Sequence, residues 1–496
     1  MIEGPYGALE ARFRRLGALQ ESCAILGWDS STMMPEGGAE ARAEQLAVLK
    51  VVSHEILTDA ALPELLAAAA GRNDLDPWQR ANVREMERLW RHASAVPADL
   101  VEAYSKAASG CEMIWRKARA SRDFSAVLPA LERLLTLVRE RATVKAEALG
   151  LTPYEALLDE YEPGAGAAEI DRLFGRLAAV LPGLIDRVIA HQARQPSPTP
   201  LAGPFPVAAQ REAAIALMER LGFDFAHGRL DVSLHPFCGG TPDDVRITTR
   251  YDEADFGRAL MGVLHETGHA LYERGLPIGW RRQPVGAPRG MSLHESQSLL
   301  IEMQVCRSRD FLGFAAPILA KALAGRGSFD ADNLYRLNTR VKRSFIRVDA
   351  DEVTYPLHVI LRYRLERAMI EGSLVPRDLP GAWNEGMARL LGVTPPDDAL
   401  GCLQDIHWYD GAIGYFPTYT LGAMTAAQLF AAAKRADPAI VPGIASGDFT
   451  PLLAWLRTHI HGKASRFSTG EIIEQASGAP LDTTAYERHL EARYLS

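Results

Sequence analysis

Apolar residues recur at three- and four-residue spacing, with Glu and Arg between them, through Glu40 to Val52, Leu128 to Gly150, Ala168 to Arg194 and Ala208 to Leu221. That period lays one stripe of side chains along a buried face and predicts helix in each segment. The rhythm breaks at Gln195 to Pro206, QPSPTPLAGPFP, where five prolines rule out a regular helix and predict a connection. Beyond it, Asp231 to Tyr251 carries short alternating runs around the turn cluster Gly239-Gly240-Thr241-Pro242-Asp243. Val245, Ile247 and Thr249 alternate with Arg246, Thr248 and Arg250, which is the period of a strand. The pattern therefore predicts a mostly α protein with a small β-hairpin or sheet. No repeat of about 20–50 residues recurs, so a solenoid is excluded. Length alone, 496 residues, suggests about three domains. Large helical proteins often form one body around a cleft, so the expectation is a single helical domain over residues 1–496, with 195–206 the place where two lobes would join.

Composition narrows the classes. A net charge of −8 leaves no basic surplus to neutralise phosphates, which excludes nucleic acid as the expected partner. The five cysteines, Cys23, Cys111, Cys238, Cys306 and Cys402, are scattered and form no CxxC pair. Neither a disulfide framework nor a thiolate zinc site follows, and a reducing compartment fits. The opening MIEGPYGALEARF lacks a charged stretch followed by an apolar one, as a secretory signal would need. The most apolar run, Phe311 to Leu323, is interrupted by Lys321 and falls short of the about 20 residues of a membrane helix. The expectation is a cytoplasmic protein that does not engage a membrane.

Chemistry enters at Leu264-His265-Glu266-Thr267-Gly268-His269-Ala270-Leu271, inside a stretch that reads as helix. Histidines four apart share a helix face about 6 Å apart along the axis, so both imidazoles reach one ion while Glu266 projects beside it as a base. A catalytic zinc needs a third protein ligand and an open position. A HExxHxxGxxH continuation is excluded, because Tyr272 stands where Gly belongs and Gly275 where His belongs. A carboxylate from a second helix remains, and Met291 to Ser298, MSLHESQS, offers Glu295 across a loop rich in Gly and Pro. Glu302 and Glu273 compete with it. Glu273, at i+4 from His269, is better placed as an outer partner of a ligand imidazole. His294 is expected to face elsewhere, as a structural histidine.

Taken together, the motifs resemble the thermostable carboxypeptidase Taq family of zinc metallocarboxypeptidases. They read, in order, His235-Pro236-Phe237, Asp244-Val245-Arg246-Ile247-Thr248, His265 to His269, His294-Glu295-Ser296, Ile346-Arg347-Val348-Asp349-Ala350-Asp351 and Gly401-Cys402-Leu403-Gln404-Asp405-Ile406-His407-Trp408. Leu26-Gly27-Trp28-Asp29 and Met33-Met34-Pro35 extend the likeness to the N-terminal region. Leu299, Ile301 and Met303 depart from the family pattern of Arg, Trp and Asn, and are expected to sit away from the metal. The resemblance implies a helical homodimer with a deep groove, similar in plan to the angiotensin-converting-enzyme and neurolysin group. It also implies release of single residues from peptide C-termini with broad specificity, and a zinc that cobalt can replace.

An exopeptidase must bind the terminal carboxylate of its peptide, and the planar fork of arginine suits that task. Arg347 is the first choice and Arg246 the second. For each the alternative is an internal ion pair, since Asp349, Asp351 and Asp244 are close in sequence. HPF is expected to shape the pocket, not to bind the metal. His407 and Tyr419, with Tyr415 behind them, are candidates to hydrogen-bond the oxyanion. An oligopeptidase cutting internally is the competing reading, and it would need no carboxylate clamp. A helical scaffold with a vestigial HExxH is the third, and an intact Glu266 argues against it.

Overall fold

The computed structural model describes residues 4–323 and 328–496. The four segments with helical period form the helices Ala39–Thr58, Leu128–Leu149, Ala167–Gln192 and Val207–Leu221. Two of them end at a glycine in the left-handed region, Gly150 at φ +71 and Gly222 at φ +95, where a side chain would be strained. Residues 195–206 hold no helix, because proline removes the amide that the next turn would use. One helix departs from the amphipathic reading. No residue of Ala39–Thr58 is buried, and Val48 and Val51 are each 56% exposed.

Among the described residues the only sheet has three strands, β1 (Gly228–Val232), β2 (Cys238–Thr241) and β3 (Asp244–Thr249), in the order β1-β3-β2. β1 pairs parallel with β3, and β2 pairs antiparallel with it, Thr241 opposite Asp244. The expected turn cluster is thus only partly a turn. Gly239, Gly240 and Thr241 belong to β2, and the reversal is confined to Pro242 and Asp243. Gly240 takes φ +87, and a Cβ there would stand 2.1 Å from the Asp244 carbonyl oxygen, so only glycine lets the two backbones approach.

Two large hydrophobic clusters build the body. One draws on Cys111 to Val188, Val341 to Ala427 and Tyr486 to Tyr494. The other draws on Phe205 to Leu334 and Ala426 to Ile472. The chain passes from the first to the second through the proline-rich segment and returns near Val341. Between them lies a cavity of about 1900 Å³ with residues of both clusters in its walls. Residues of the helices Phe256–Gly275, Met291–Leu299, Tyr355–Glu371 and Pro417–Ala436 are among those lining it. No helix among the described residues is long and apolar enough to cross a membrane.

Candidate metal centre

Asp255 caps the Phe256–Gly275 helix, accepting from the amides of Gly257 and Arg258. Leu260, Val263, Leu264 and Leu271 bury its core face, which fixes the helix's rotation and turns His265, Glu266 and His269 to the cavity. Gly268 lies between the two histidines, where a Cβ would stand 2.5 Å from the Gln297 carbonyl oxygen. This glycine lets the Met291–Leu299 helix come close enough to deliver Glu295. On the other side, Gly422 of Pro417–Ala436 leaves room for the same residue, since a Cβ there would be 2.8 Å from the Glu295 Cβ.

His265, His269 and Glu295 converge, their ligand atoms all lying within 4.8 Å of one another. Glu295 Oε2 is 3.8 Å from His265 Nε2 and 3.5 Å from His269 Nε2. Each imidazole points the same nitrogen inward, and its Nδ1 is engaged outside. His265 Nδ1 is 3.0 Å from Glu302 Oε2, and His269 Nδ1 is 2.6 Å from His294 Nδ1. His294 Nε2 in turn meets Glu273 Oε1 at 2.9 Å, while Arg307 donates to Glu302 at 2.7 Å. Two nitrogens and one carboxylate oxygen in this arrangement, with outer partners orienting the rings, fit a divalent ion such as zinc.

Burial and the neighbouring charges act differently on each donor. Burial opposes a charge on His265, yet Glu295, Glu302 and Glu266 outweigh it and push its pKa up to about 10. Burial pushes His269 down to about 4, with His294 adding to the effect. Burial works against ionised Glu295 as well, but the two imidazoles pull it down to about 2. Carboxylates thus favour positive charge on His265, whereas burial disfavours it on His269. Glu266 differs: burial dominates and raises it to about 7.

The three-residue cluster takes Glu295 in preference to its competitors, and one expectation changes. Glu302 is an outer partner of His265, not the third member of the cluster. It is carried there by a π-helical segment, Leu300–Cys306, that no sequence period announces. His294 faces inward and touches His269, and Glu273 reaches that ligand only through His294. Of the three departures from the family pattern, Leu299 and Met303 line the cavity and Ile301 is buried in the core. Leu299 follows Glu295 by four residues and so shares its face.

At the other wall, Arg347 is buried. Its Nε and NH2 donate to Asp405 Oδ1 at 3.0 and 2.8 Å, and its NH1 donates to the Tyr355 hydroxyl at 3.0 Å. Asp405 also receives Arg362, at 2.6 Å. The ion-pair partner is thus Asp405, not Asp349 or Asp351. Arg347, Tyr355, Tyr415 and Tyr419 all line the cavity, as does HPF through His235, Pro236 and Phe237. Arg246 is not among the residues lining it. Its guanidinium pairs with Asp244 at 2.6 Å and stacks 4.4 Å from the Trp28 ring centroid. His407 also stands back from the lining, its Nε2 3.3 Å from the Tyr419 hydroxyl, so the expected order of His407 and Tyr415 is reversed. Burial pushes His407 down to about 4, which leaves it neutral. Tyr355 is a cavity residue that sequence reasoning missed, because a tyrosine opening a helix carries no signal of its own.

A family model for the carboxypeptidase Taq (M32) metallopeptidases matches residues 8–494. The chain is 40% identical to thermostable carboxypeptidase 1 of Thermus thermophilus, over 99% of this chain and 98% of that one. It is 35% identical to thermostable carboxypeptidase 1 of Pyrococcus furiosus, over 98% and 97%. Among solved structures, metallocarboxypeptidase 1 of Trypanosoma cruzi superposes with a TM-score of 0.97 at 41% identity, covering 99% of both chains.

Proposed function

This chain belongs to the carboxypeptidase Taq family of metallopeptidases and is a metallocarboxypeptidase, and on that footing we propose how its residues divide the work. His265, His269 and Glu295 hold the ion, which is zinc, with cobalt able to replace it. When bound, the ion supplies Lewis acidity, acidifying water and polarising a carbonyl. Glu266 is the general base: its carboxylate takes a proton from water and returns it to the leaving amine. Its pKa of about 7 suits a group that must accept and release a proton near neutrality. Tyr415 and Tyr419 donate hydrogen bonds to the oxygen on which charge develops. Burial keeps both phenols protonated, Tyr419 pushed up to about 12. His407 steadies Tyr419 from behind.

One observation supports removal of C-terminal residues over internal cutting. Asp405 is a single carboxylate shared by two guanidiniums, Arg347 and Arg362. Arg362 is fully buried, whereas Arg347 reaches the cavity. The surplus positive charge therefore faces the groove, where the terminal carboxylate of a peptide would lie. Substrates are peptides, released one residue at a time with broad specificity, which a cavity of about 1900 Å³ accommodates. The protein works in the cytoplasm as a homodimer, and the uncovered apolar residues Val48 and Val51 support a partner surface there. An N-blocked peptide with a free or amidated C-terminus tests the reading. Single residues should be released from the free form only. Equal cleavage of both would instead mean an internally cutting peptidase.

A further inference from the structure

The Met291–Leu299 helix, which carries Glu295, has no cap of its own. Gly290 precedes it and offers no side chain, and its first turn contains no acid. The first amides of any helix lack partners within it and carry a partial positive charge. Here the first two are satisfied by a segment 130 residues upstream. The Met291 amide donates to the Tyr161 carbonyl at 2.7 Å, and the Ser292 amide donates to Glu162 Oε2 at 2.7 Å.

Glu162 is 3% exposed and does not line the cavity. Its second oxygen accepts from the hydroxyl of Thr469, the first residue of the Thr469–Ser477 helix, so the carboxylate is held from both sides. Gly290 makes the approach possible: a Cβ there would stand 2.6 Å from Glu162 Oε1. Arg289 locks the same junction, pairing with Glu85 at 2.8 Å and donating to the Pro163 carbonyl at 3.4 Å. Ser292 lies less than one turn before Glu295, so a shift of the first turn displaces Glu295 directly.

We infer that Glu162 is a positioning residue for the metal centre: it caps the Met291–Leu299 helix across the chain and so sets where Glu295 stands. This inference rests on the proposed role of Glu295 as a ligand. Glu162→Ala should leave the Ser292 amide without its partner and weaken zinc binding by up to about 10-fold, the scale set by loss of a helix cap. Affinity would be measured by competition with a chelator, and ligand geometry by the absorption bands of the cobalt-loaded protein, which should shift. In fully loaded enzyme kcat should fall while KM stays, because Glu162 touches no substrate. Thr469→Val removes one of the two supports of Glu162 and should move affinity and spectrum the same way by a smaller factor. It alone decides the matter if Glu162→Ala does not fold. Wild-type zinc affinity and an unshifted cobalt spectrum in the folded variants, even with a lowered Tm, would overturn the inference and leave Glu162 a stabilising residue only. Glu295→Gln serves as the control. Unchanged affinity in that variant would overturn the ligand assignment itself, and does so independently of Glu162.

Discussion

Glu266 and Glu295 are both buried carboxylates beside the same imidazoles, and what faces each one fits the proposed division into base and ligand. Glu295 looks at two Nε2 atoms and is drawn down to about 2, whereas burial leaves Glu266 raised to about 7. Glu266→Gln should therefore retain the metal and lower kcat by at least about 10²-fold, the scale of general-base loss. Glu295→Gln should lose metal, measured as ions per chain after dialysis. For Arg347→Ala, a charge-assisted contact to a buried carboxylate is worth about 1.5–3 kcal/mol. At about 1.4 kcal/mol per decade, kcat/KM on free peptides should fall roughly 10- to 150-fold. Amidated peptides, already poor substrates, should change little. Equal loss on both would make Arg347 purely structural through its pair with Asp405. At this scale the sequence was informative where one helix sets the geometry, as for His265, Glu266 and His269. It misdirected where geometry arises between elements: Arg347 finds Asp405 58 residues away, and His294 turns inward to His269.

Close approach of helices governs the next scale. Gly268 and Gly422 pack from opposite sides against the Met291–Leu299 helix, and Gly422→Ala would press a methyl to within 2.8 Å of Glu295. Overpacking of this kind costs about 1–3 kcal/mol. A lowered Tm should accompany weaker metal binding, read from calorimetry and metal content. Glu366 of the Tyr355–Glu371 helix anchors the loop before Pro417–Ala436. It accepts from Tyr154 at 2.7 Å, Trp408 at 3.0 Å and the Gly414 amide at 3.3 Å. Burial raises its pKa from 4.5 to about 8. Between those values the unfolded chain releases the proton that the folded chain keeps, so this group's contribution to stability declines as pH rises through that window. Glu366→Gln should flatten the decline, by up to about 1.4 kcal/mol per pH unit, in urea denaturation followed across that range. Existence and type of the long helices were legible because their apolar stripes are local. The π-helical Leu300–Cys306 and β2 were not, since tertiary packing and pairing with β3 decide them.

For the whole molecule, the Ala39–Thr58 helix leaves Val48 and Val51 uncovered on a helix without a buried residue. Sedimentation should return twice the 54.2 kDa chain mass, and Val48→Asp with Val51→Asp should return one chain if this face forms the interface. An unchanged dimer would move the interface elsewhere. By itself the sequence determined that the protein is mostly helical, that the segment at 195–206 breaks the helical pattern, and that one helix presents two histidines and a glutamate on neighbouring positions. It also marked Glu295 as a third donor. Those properties depend on side chains within a few turns of each other, whose spacing the chain itself sets. Only the tertiary structure decided that Glu302 and His294 orient the imidazoles, that Arg246 is spent on Asp244, and that Arg347 shares Asp405 with Arg362 at the cavity wall. Asp244 is only two residues from Arg246, and there the fold decides that the guanidinium pairs locally and stays out of the cavity. The other partnerships join residues 25 to 58 apart in the chain, which meet only when the two hydrophobic clusters close around the groove.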